Sequence, residues 1–147
     1  MGRKRASFKI KDSPRPKKLG KVFGAEKRDS NEKYCAKLLS NFGYDIIFLP
    51  ESKISGVHTP DILWKLDNNF WEIKTINGEK YTTIKHALDS AKRQSQNVIL
   101  YTNKTRRTIL QIARDCIKYC DSTPSNKLHQ ILIVTKDSYL RLTSGML

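Results

Sequence analysis

Three charged side chains near the middle of the chain have the types and the spacing that phosphodiester hydrolysis requires. Asp61 follows Pro60, and Glu72 and Lys74 come eleven and thirteen residues after Asp61. Two carboxylates can hold a divalent cation, and an ammonium beside them can stabilise an attacked phosphate. The combination predicts a metal-dependent centre that cleaves phosphodiester bonds.

A β-hairpin would bring these three side chains together. Apolar runs at 62–66 and 70–76 flank an Asp-Asn-Asn segment that favours a turn. Because side chains alternate along a strand, Glu72 and Lys74 lie on one face. A two-residue loop within the segment places Asp61 on that same face, whereas a three-residue loop would not. The string also fits an amphipathic hairpin whose charges face solvent, so the flanking elements must decide.

Helix and strand patterns alternate on both sides of the hairpin. A helix that starts near Asn31, capped by Asp29 or Ser30, precedes a strand at 44–49. The elements after the hairpin are a helix at 81–95, a strand at 97–102, a helix at 105–119 and a strand at 130–135. This order predicts the α/β class, with a mixed central β-sheet flanked by helices.

Charge is concentrated at the start of the chain. The net charge is +14, and residues 1–21 carry nine basic residues, one acidic residue and two prolines. We expect residues 1–21 to form a disordered basic arm or linker and residues 22–147 to form one nuclease domain. An excess of this sign favours a polyanionic partner such as nucleic acid.

A membrane is a weaker interpretation of the same charge. The sequence has no basic amphipathic helix with a strong apolar face, no apolar run of spanning length and no signal-peptide pattern. The three cysteines do not suggest a disulfide framework and fit a reducing, cytoplasmic site of action. Cys116, Cys120 and His129 could form a zinc clip, but two buried hydrophobes are the favoured interpretation.

With these elements, residues 31–102 resemble the PD-(D/E)XK nuclease superfamily. That resemblance implies a restriction-endonuclease-like αβββαβ core, here with an extra C-terminal helix and strand. The chain is most similar to the C-terminal tRNase toxin domains of contact-dependent growth-inhibition systems. The shared features are an early helix carrying Glu32, a Gly-x-x-x-Pro-Asp loop at 56–61, the Glu-x-Lys of Glu72 and Lys74, and a helix bearing Ala91 and Gln94.

The resemblance implies a role for each matched residue. Asp61 and Glu72 would be metal ligands, with the Ile73 carbonyl as a third. Lys74 would orient or deprotonate the attacking water. The remaining implied site residues are Glu32, an additional acid from the first helix, and Gln94, which would face the active centre.

The metal follows from the ligand chemistry. Hard oxygen ligands that leave room for water suit Mg²⁺ or Mn²⁺ rather than Zn²⁺. In-line attack by water would leave 5′-phosphate and 3′-hydroxyl ends. On the helix after the hairpin, Lys85, Lys92 and Arg93 are candidates for phosphate contacts.

We therefore expect a metal-dependent endonuclease that hydrolyses RNA, with tRNA the favoured substrate. One alternative is a DNA endonuclease of restriction or Holliday-junction-resolving type. Another is a nucleic-acid-binding protein without turnover. The toxin resemblance further implies a cognate immunity protein and delivery as the C-terminal part of a secreted toxin. The oligomeric state stays open.

Overall fold

The computed structural model describes residues 8–11, 20–41, 44–50, 59–103, 107–123, 127–136 and 138–144. Within these residues the chain forms three helices and eight strands. The helices are α1 (Ser30–Ser40), α2 (Tyr81–Ala91) and α3 (Ile109–Ser122). The strands are β1 (Phe8–Lys11), β2 (Val22–Phe23), β3 (Ile46–Phe48), β4 (Ile62–Trp64), β5 (Asn69–Thr75), β6 (Asn97–Tyr101), β7 (Gln130–Val134) and β8 (Tyr139–Ser144).

The strands form one mixed sheet in the order β1-β8-β7-β6-β5-β4-β3-β2. Strands β5, β6 and β7 run parallel because α2 and α3 return the chain between them. The β3-β4-β5 pairs are antiparallel, as are β7-β8 and β8-β1, whereas β2 pairs with β3 in parallel. The predicted α/β class with a mixed sheet is confirmed.

The sheet separates two apolar cores. Along β6, Val98 and Leu100 pack with α2 and α3, whereas Ile99 and Tyr101 pack with α1. This alternation is the period of two that a strand buried on both faces must show. The predicted arrangement of helices on both sides of the sheet is therefore confirmed.

The hairpin β4-β5 contributes the two largest side chains of the α1 core. Trp64 and Trp71 are fully buried, and their rings meet edge to face with centroids 5.8 Å apart. Both lie on the face that carries Ile62 and Ile73, as the alternation of side chains along a strand requires. These indoles therefore fill the core and are not available to stack on bases.

The two ends of the chain and the end of α2 differ from the sequence-based expectations. Residues Phe8–Lys11, inside the predicted disordered arm, form a strand paired with β8, so this part of the arm is not disordered; the boundary at residue 22 stays a prediction. Strand β8 was not predicted, although Leu140 and Leu142 alternate with polar residues. Helix α2 ends at Ala91, earlier than expected, and in the turn that follows it the Ala91 carbonyl accepts the amides of Gln94 and Ser95.

Helix α3 begins four residues later than the sequence predicts. Thr108 is the N-cap of α3: its hydroxyl oxygen accepts the backbone amide of Gln111, and the Gln111 side-chain oxygen accepts the backbone amide of Thr108. This capping box starts the helix at Ile109 rather than at residue 105. Cys116 and Cys120 are buried in the core between α3 and the sheet, where burial raises the pKa of Cys116 and raises the pKa of Cys120 to about 12. The interpretation of both thiols as hydrophobes agrees with this burial.

The tryptophan pair gives a test of the hairpin core. We expect Trp71→Ala to lower the free energy of unfolding by about 3–5 kcal/mol, because it empties a fully buried position. Phe70→Ala is the matched control, since Phe70 is the adjacent residue of β5 and is 51% exposed. Urea unfolding followed by fluorescence measures both, and equal losses would contradict the assignment of faces.

Candidate metal and phosphodiester site

Asp61 and Glu72 face each other at the open end of the β4-β5 hairpin. Ile62 pairs with Trp71, which sets Asp61 opposite Glu72. The turn comprises the four residues 65–68, with Asn68 in the left-handed region at φ 56°. Four residues replace the expected two, but because both numbers are even, Asp61 keeps the predicted face.

The Asp61 carboxylate is held at both oxygens. Its Oδ2 accepts the Ile73 amide at 2.9 Å, and its Oδ1 accepts Nη1 of Arg28 at 3.0 Å. The Asp61 carbonyl also accepts the Leu49 amide at 2.8 Å. Asp61 therefore connects the start of β4 to β5, to the end of β3 and to the loop before α1.

Arg28 is the site residue that sequence reasoning missed. Its side chain is 8% exposed and lies over the Phe48 ring, with Cζ 5.2 Å from the ring centroid. The guanidinium also donates to the Leu49 carbonyl and lies 3.8 Å from Oε2 of Glu32. The i, i+4 spacing of Arg28 and Glu32 was the available signal, but it does not reveal the contact with Asp61, 33 residues away.

Glu72 is the buried member of the acidic pair. It is 6% exposed, its Oε2 lies 3.5 Å from Nζ of Lys74, and its Oε1 is buried with no hydrogen-bond partner in the described part of the chain. Burial, followed by the nearby Asp61 carboxylate, raises the pKa of Glu72 to about 8, while Lys74 opposes the rise. Without a further cation, this carboxyl group is therefore largely protonated at neutral pH.

Lys74 and Ile73 complete the hairpin part of the site. Lys74 is 27% exposed and shares the face of Glu72, two residues along the strand. Ile73 points its side chain into the α1 core, and its backbone amide donates to Oδ2 of Asp61. The structure thus brings together Asp61, Glu72, Ile73 and Lys74.

Glu32 and Gln94, the other two predicted site residues, lie on elements outside the β4-β5 hairpin. Glu32 sits in the first turn of α1, where Asp29 caps its amide, and it approaches the centre through Arg28. Gln94 lies in the turn after α2 and not on the helix. In the same turn, Ser95 donates to the Phe70 carbonyl, so this turn contacts the first part of β5.

The three basic residues predicted to bind phosphate differ in their surroundings. Lys85 and Arg93 are exposed. Lys92 is partly engaged within the fold, because its Nζ lies 3.4 Å from Asp89 and 5.9 Å from the centroid of the Tyr119 ring. Lys85 and Arg93 are the more available cations.

The donor set can be compared with what a divalent cation needs. Among the described residues, no cluster of three or more His, Cys, Asp and Glu side chains is suited to a metal ion. Two facing carboxylates remain, and one of their oxygens, Oε1 of Glu72, is buried and unpartnered. Mg²⁺ is commonly bound by one or two carboxylates and keeps several waters, so the residues present fit such an ion. They do not fit a closed structural site.

No helix in the described residues is long and apolar enough to cross a membrane. The described helices and strands form an α/β domain that places two carboxylates and a lysine on one hairpin face.

Comparison with known proteins identifies the family. Residues 58–139 match the family described as the contact-dependent growth inhibition CdiA C-terminal domain. The match spans more than half of the chain, so the chain belongs to this family and is a toxin domain of contact-dependent growth inhibition. The predicted resemblance to these toxin domains is confirmed at that level.

A solved structure shares the fold. One chain of the CdiA-CT/CdiI toxin and immunity complex from Burkholderia pseudomallei aligns with a TM-score of 0.52 and 14% sequence identity. The alignment covers 84% of this chain and 99% of that chain. At this identity the likeness concerns the fold alone. The sequence matches no curated protein.

The raised pKa of Glu72 predicts how stability depends on pH. In metal-free buffer the pKa of folded Glu72 is about 8, whereas the pKa of a free glutamate side chain is 4.5. Its stabilising contribution is therefore complete below pH 4.5 and is lost as the pH rises toward 8. Relative to Glu72→Gln, the wild type should lose on the order of 3–5 kcal/mol of unfolding free energy across this window.

Urea unfolding at several pH values, with EDTA present, measures this difference. Glu26→Gln is the control, because Glu26 is exposed. If Glu72→Gln and Glu26→Gln follow the wild type equally from pH 5 to pH 8, Glu72 is not the group that holds the proton.

The Arg28 contacts give a second test. We expect Arg28→Gln to lower the unfolding free energy of the metal-free protein by about 3–5 kcal/mol, because it leaves the Asp61 carboxylate without its cation. Arg114→Gln, an exposed position on α3, should change it by about 0.5 kcal/mol or less. Thermal or urea unfolding distinguishes the two, and similar costs would show that Arg28 does not hold the site together.

Proposed function

We propose that this toxin domain is a metal-dependent endonuclease that hydrolyses RNA, with tRNA the favoured substrate. The observation that carries the proposal is the pair of facing carboxylates, Asp61 and Glu72, with Nζ of Lys74 3.5 Å from the buried acid. A domain that only binds nucleic acid does not require two carboxyl groups and an ammonium together on one hairpin face.

The metal would be held by Asp61 and Glu72, with the Ile73 carbonyl as a further ligand. When bound, Mg²⁺ or Mn²⁺ supplies Lewis-acid polarisation of a phosphoryl oxygen and lowers the pKa of its water toward ~7. The buried unpartnered oxygen of Glu72 supports this assignment, since an unsatisfied carboxylate oxygen is costly unless a cation or donor meets it.

The other residues of the site would orient the attacking water and the Asp61 carboxylate or neutralise charge on the phosphate. Lys74 is placed to position or deprotonate the attacking water and to stabilise negative charge on the phosphate. Arg28 fixes the Asp61 carboxylate from the side opposite the Ile73 amide. Glu32, through Arg28, and Gln94, in the turn beside the start of β5, are proposed as further members of the centre.

The element order supports placement of the chain in the PD-(D/E)XK superfamily. Helix α1, strands β3, β4 and β5, helix α2 and strand β6 follow one another as the αβββαβ core requires, with Asp61 at the start of β4 and the Glu-x-Lys on β5. Helix α3 and strand β7 then correspond to the extra C-terminal helix and strand, and β8 extends the sheet further.

Nucleic acid is the substrate that the charge favours. The net charge of +14 attracts a polyanion, and the exposed Lys85 and Arg93 on and after α2, with Lys92 between them, are proposed to contact its phosphates. RNA is placed ahead of DNA because the chain resembles tRNase toxin domains of this family.

The family and the solved relative also suggest partners. A protein from the same kind of system was solved as a toxin and immunity complex. We extend this to a cognate immunity protein for the present chain. Delivery as the C-terminal part of a secreted toxin would place its action in the cytoplasm of a target cell.

The direct test is cleavage of total tRNA, plasmid DNA and junction DNA with Mg²⁺, with Mn²⁺ and with EDTA. We expect metal-dependent cleavage of tRNA that leaves 5′-phosphate ends. Asp61→Ala and Lys74→Ala should each lower the rate at least about a hundredfold while binding of nucleic acid survives. Asp121→Ala and Lys65→Ala remove the same charges at exposed positions away from the centre and serve as controls.

Each other outcome has a defined meaning. Cleavage of DNA alone would assign the chain to the restriction or junction-resolving type. The absence of metal-dependent cleavage of any substrate, with binding retained, would leave a nucleic-acid-binding protein. Loss of binding together with cleavage in the Asp61 variant would contradict the separation of the metal centre from the binding surface.

A further inference from the structure

A second polar site lies at the carboxyl ends of β6 and β7. A cleft of about 450 Å³ is lined by residues that follow these strands and by the first residues of α3. The lining includes Thr102 after β6, Lys136 and Ser138 after β7, and Thr108 and Ile109 at the start of α3.

Thr102 gives the first indication that the cleft has a ligand. The residue is fully buried, and its Oγ1 has no hydrogen-bond partner in the described part of the chain. Its backbone amide is already bonded to the Val134 carbonyl. A buried hydroxyl without a partner is costly in an interior, so a group that accepts from it would recover this cost.

The start of α3 supplies backbone donors to the same cleft. The first four amides of a helix have no intrahelical acceptor, and the capping box occupies only that of Gln111 among residues 109–111. Among the described residues nothing accepts the amides of Ile109 and Leu110, and Ile109, which lines the cleft, lies at the positive end of the 14-residue helix. Helix N-termini that present such amides favour anionic oxygens.

The charge of the lining agrees with an anion. Among the described lining residues none is acidic, and two are basic. Arg107 is engaged with Asp115 and with the Gln111 carbonyl, so its charge is largely compensated. Lys136 is exposed and forms no ion pair with the described residues, so its positive charge is available to a ligand.

The cleft lies close to the proposed metal centre. In the parallel β5-β6 pair, Lys74 is in register with Leu100, two residues before Thr102. Strand geometry therefore separates the backbones of Lys74 and Thr102 by about 8 Å.

We propose that this cleft binds a backbone phosphate of the nucleic-acid strand that the Asp61 centre cleaves. The inference rests on the proposed function for the identity of the strand. Thr102 donates its hydroxyl, the α3 amides face the anionic oxygens, and Lys136 neutralises the charge. The cleft thereby sets which phosphate of the strand reaches Lys74.

Binding of a fluorescein-labelled single-stranded RNA to the Asp61→Ala protein, followed by anisotropy over a range of salt concentrations, tests the proposal. Adding Lys136→Ala should lower the slope of log K against log salt by about 0.7, the value for one lost phosphate contact on a single strand. Lys65→Ala, which removes an exposed lysine in the hairpin turn, should leave the slope unchanged.

Thr102→Val tests the hydroxyl separately, because valine keeps the shape and removes only the donor. We expect unchanged or slightly higher stability, since the hydroxyl has no partner in the protein, and an affinity for the RNA about 3–10-fold lower. Thr102→Ser, which keeps the hydroxyl, should restore the affinity. Competition by inorganic phosphate should weaken RNA binding by the parent more than by the Lys136 variant.

The outcomes separate this inference from the proposed function. If wild-type protein cleaves RNA and the parent variant binds it, but Lys136→Ala behaves as Lys65→Ala and Thr102→Val binds as tightly as the parent, the cleft is not a phosphate site and the metal centre stands. If the parent binds neither RNA nor DNA, both the cleft assignment and the nuclease assignment fail.

Discussion

The Asp61 carboxylate is the junction on which the candidate site depends. One oxygen accepts the Ile73 amide of β5 and the other accepts the Arg28 guanidinium from the loop before α1. The same guanidinium reaches the carbonyl of Leu49 at the end of β3. A single side chain thus aligns three separate segments of the chain, and the position of Glu72 opposite it follows from the strand pairing alone.

This junction treats the two acids unequally. Asp61 is paired with Arg28, whereas Glu72 is more deeply buried, and among the described residues Lys74 is its one cationic neighbour and its Oε1 has no hydrogen-bond partner. Asp61 is therefore a carboxylate that is already held in place, whereas a bound cation would stabilise the charged form of Glu72. The fold therefore prepares one ligand and keeps the second open to an incoming ion.

The sequence predicted those parts of the structure whose information is local. The β4-β5 hairpin, the common face of Glu72 and Lys74 and the burial of both tryptophans follow from alternation over a few residues. Arg28 could not be assigned in this way, because its contact with Asp61 crosses 33 residues and depends on how α1 packs on the sheet. Strand β1 was not predicted because its segment is basic and because the strand it pairs with, β8, lies at the other end of the chain.

The hairpin turn also restricts how this family can change during evolution. Because its four residues set Asp61 opposite Glu72, inserting or deleting one residue there would move one acid to the far side of the sheet and bring core side chains to the surface. Only length changes of two residues, or an insertion absorbed as a bulge, preserve the arrangement. Related domains should therefore keep this turn at four residues or change its length by two.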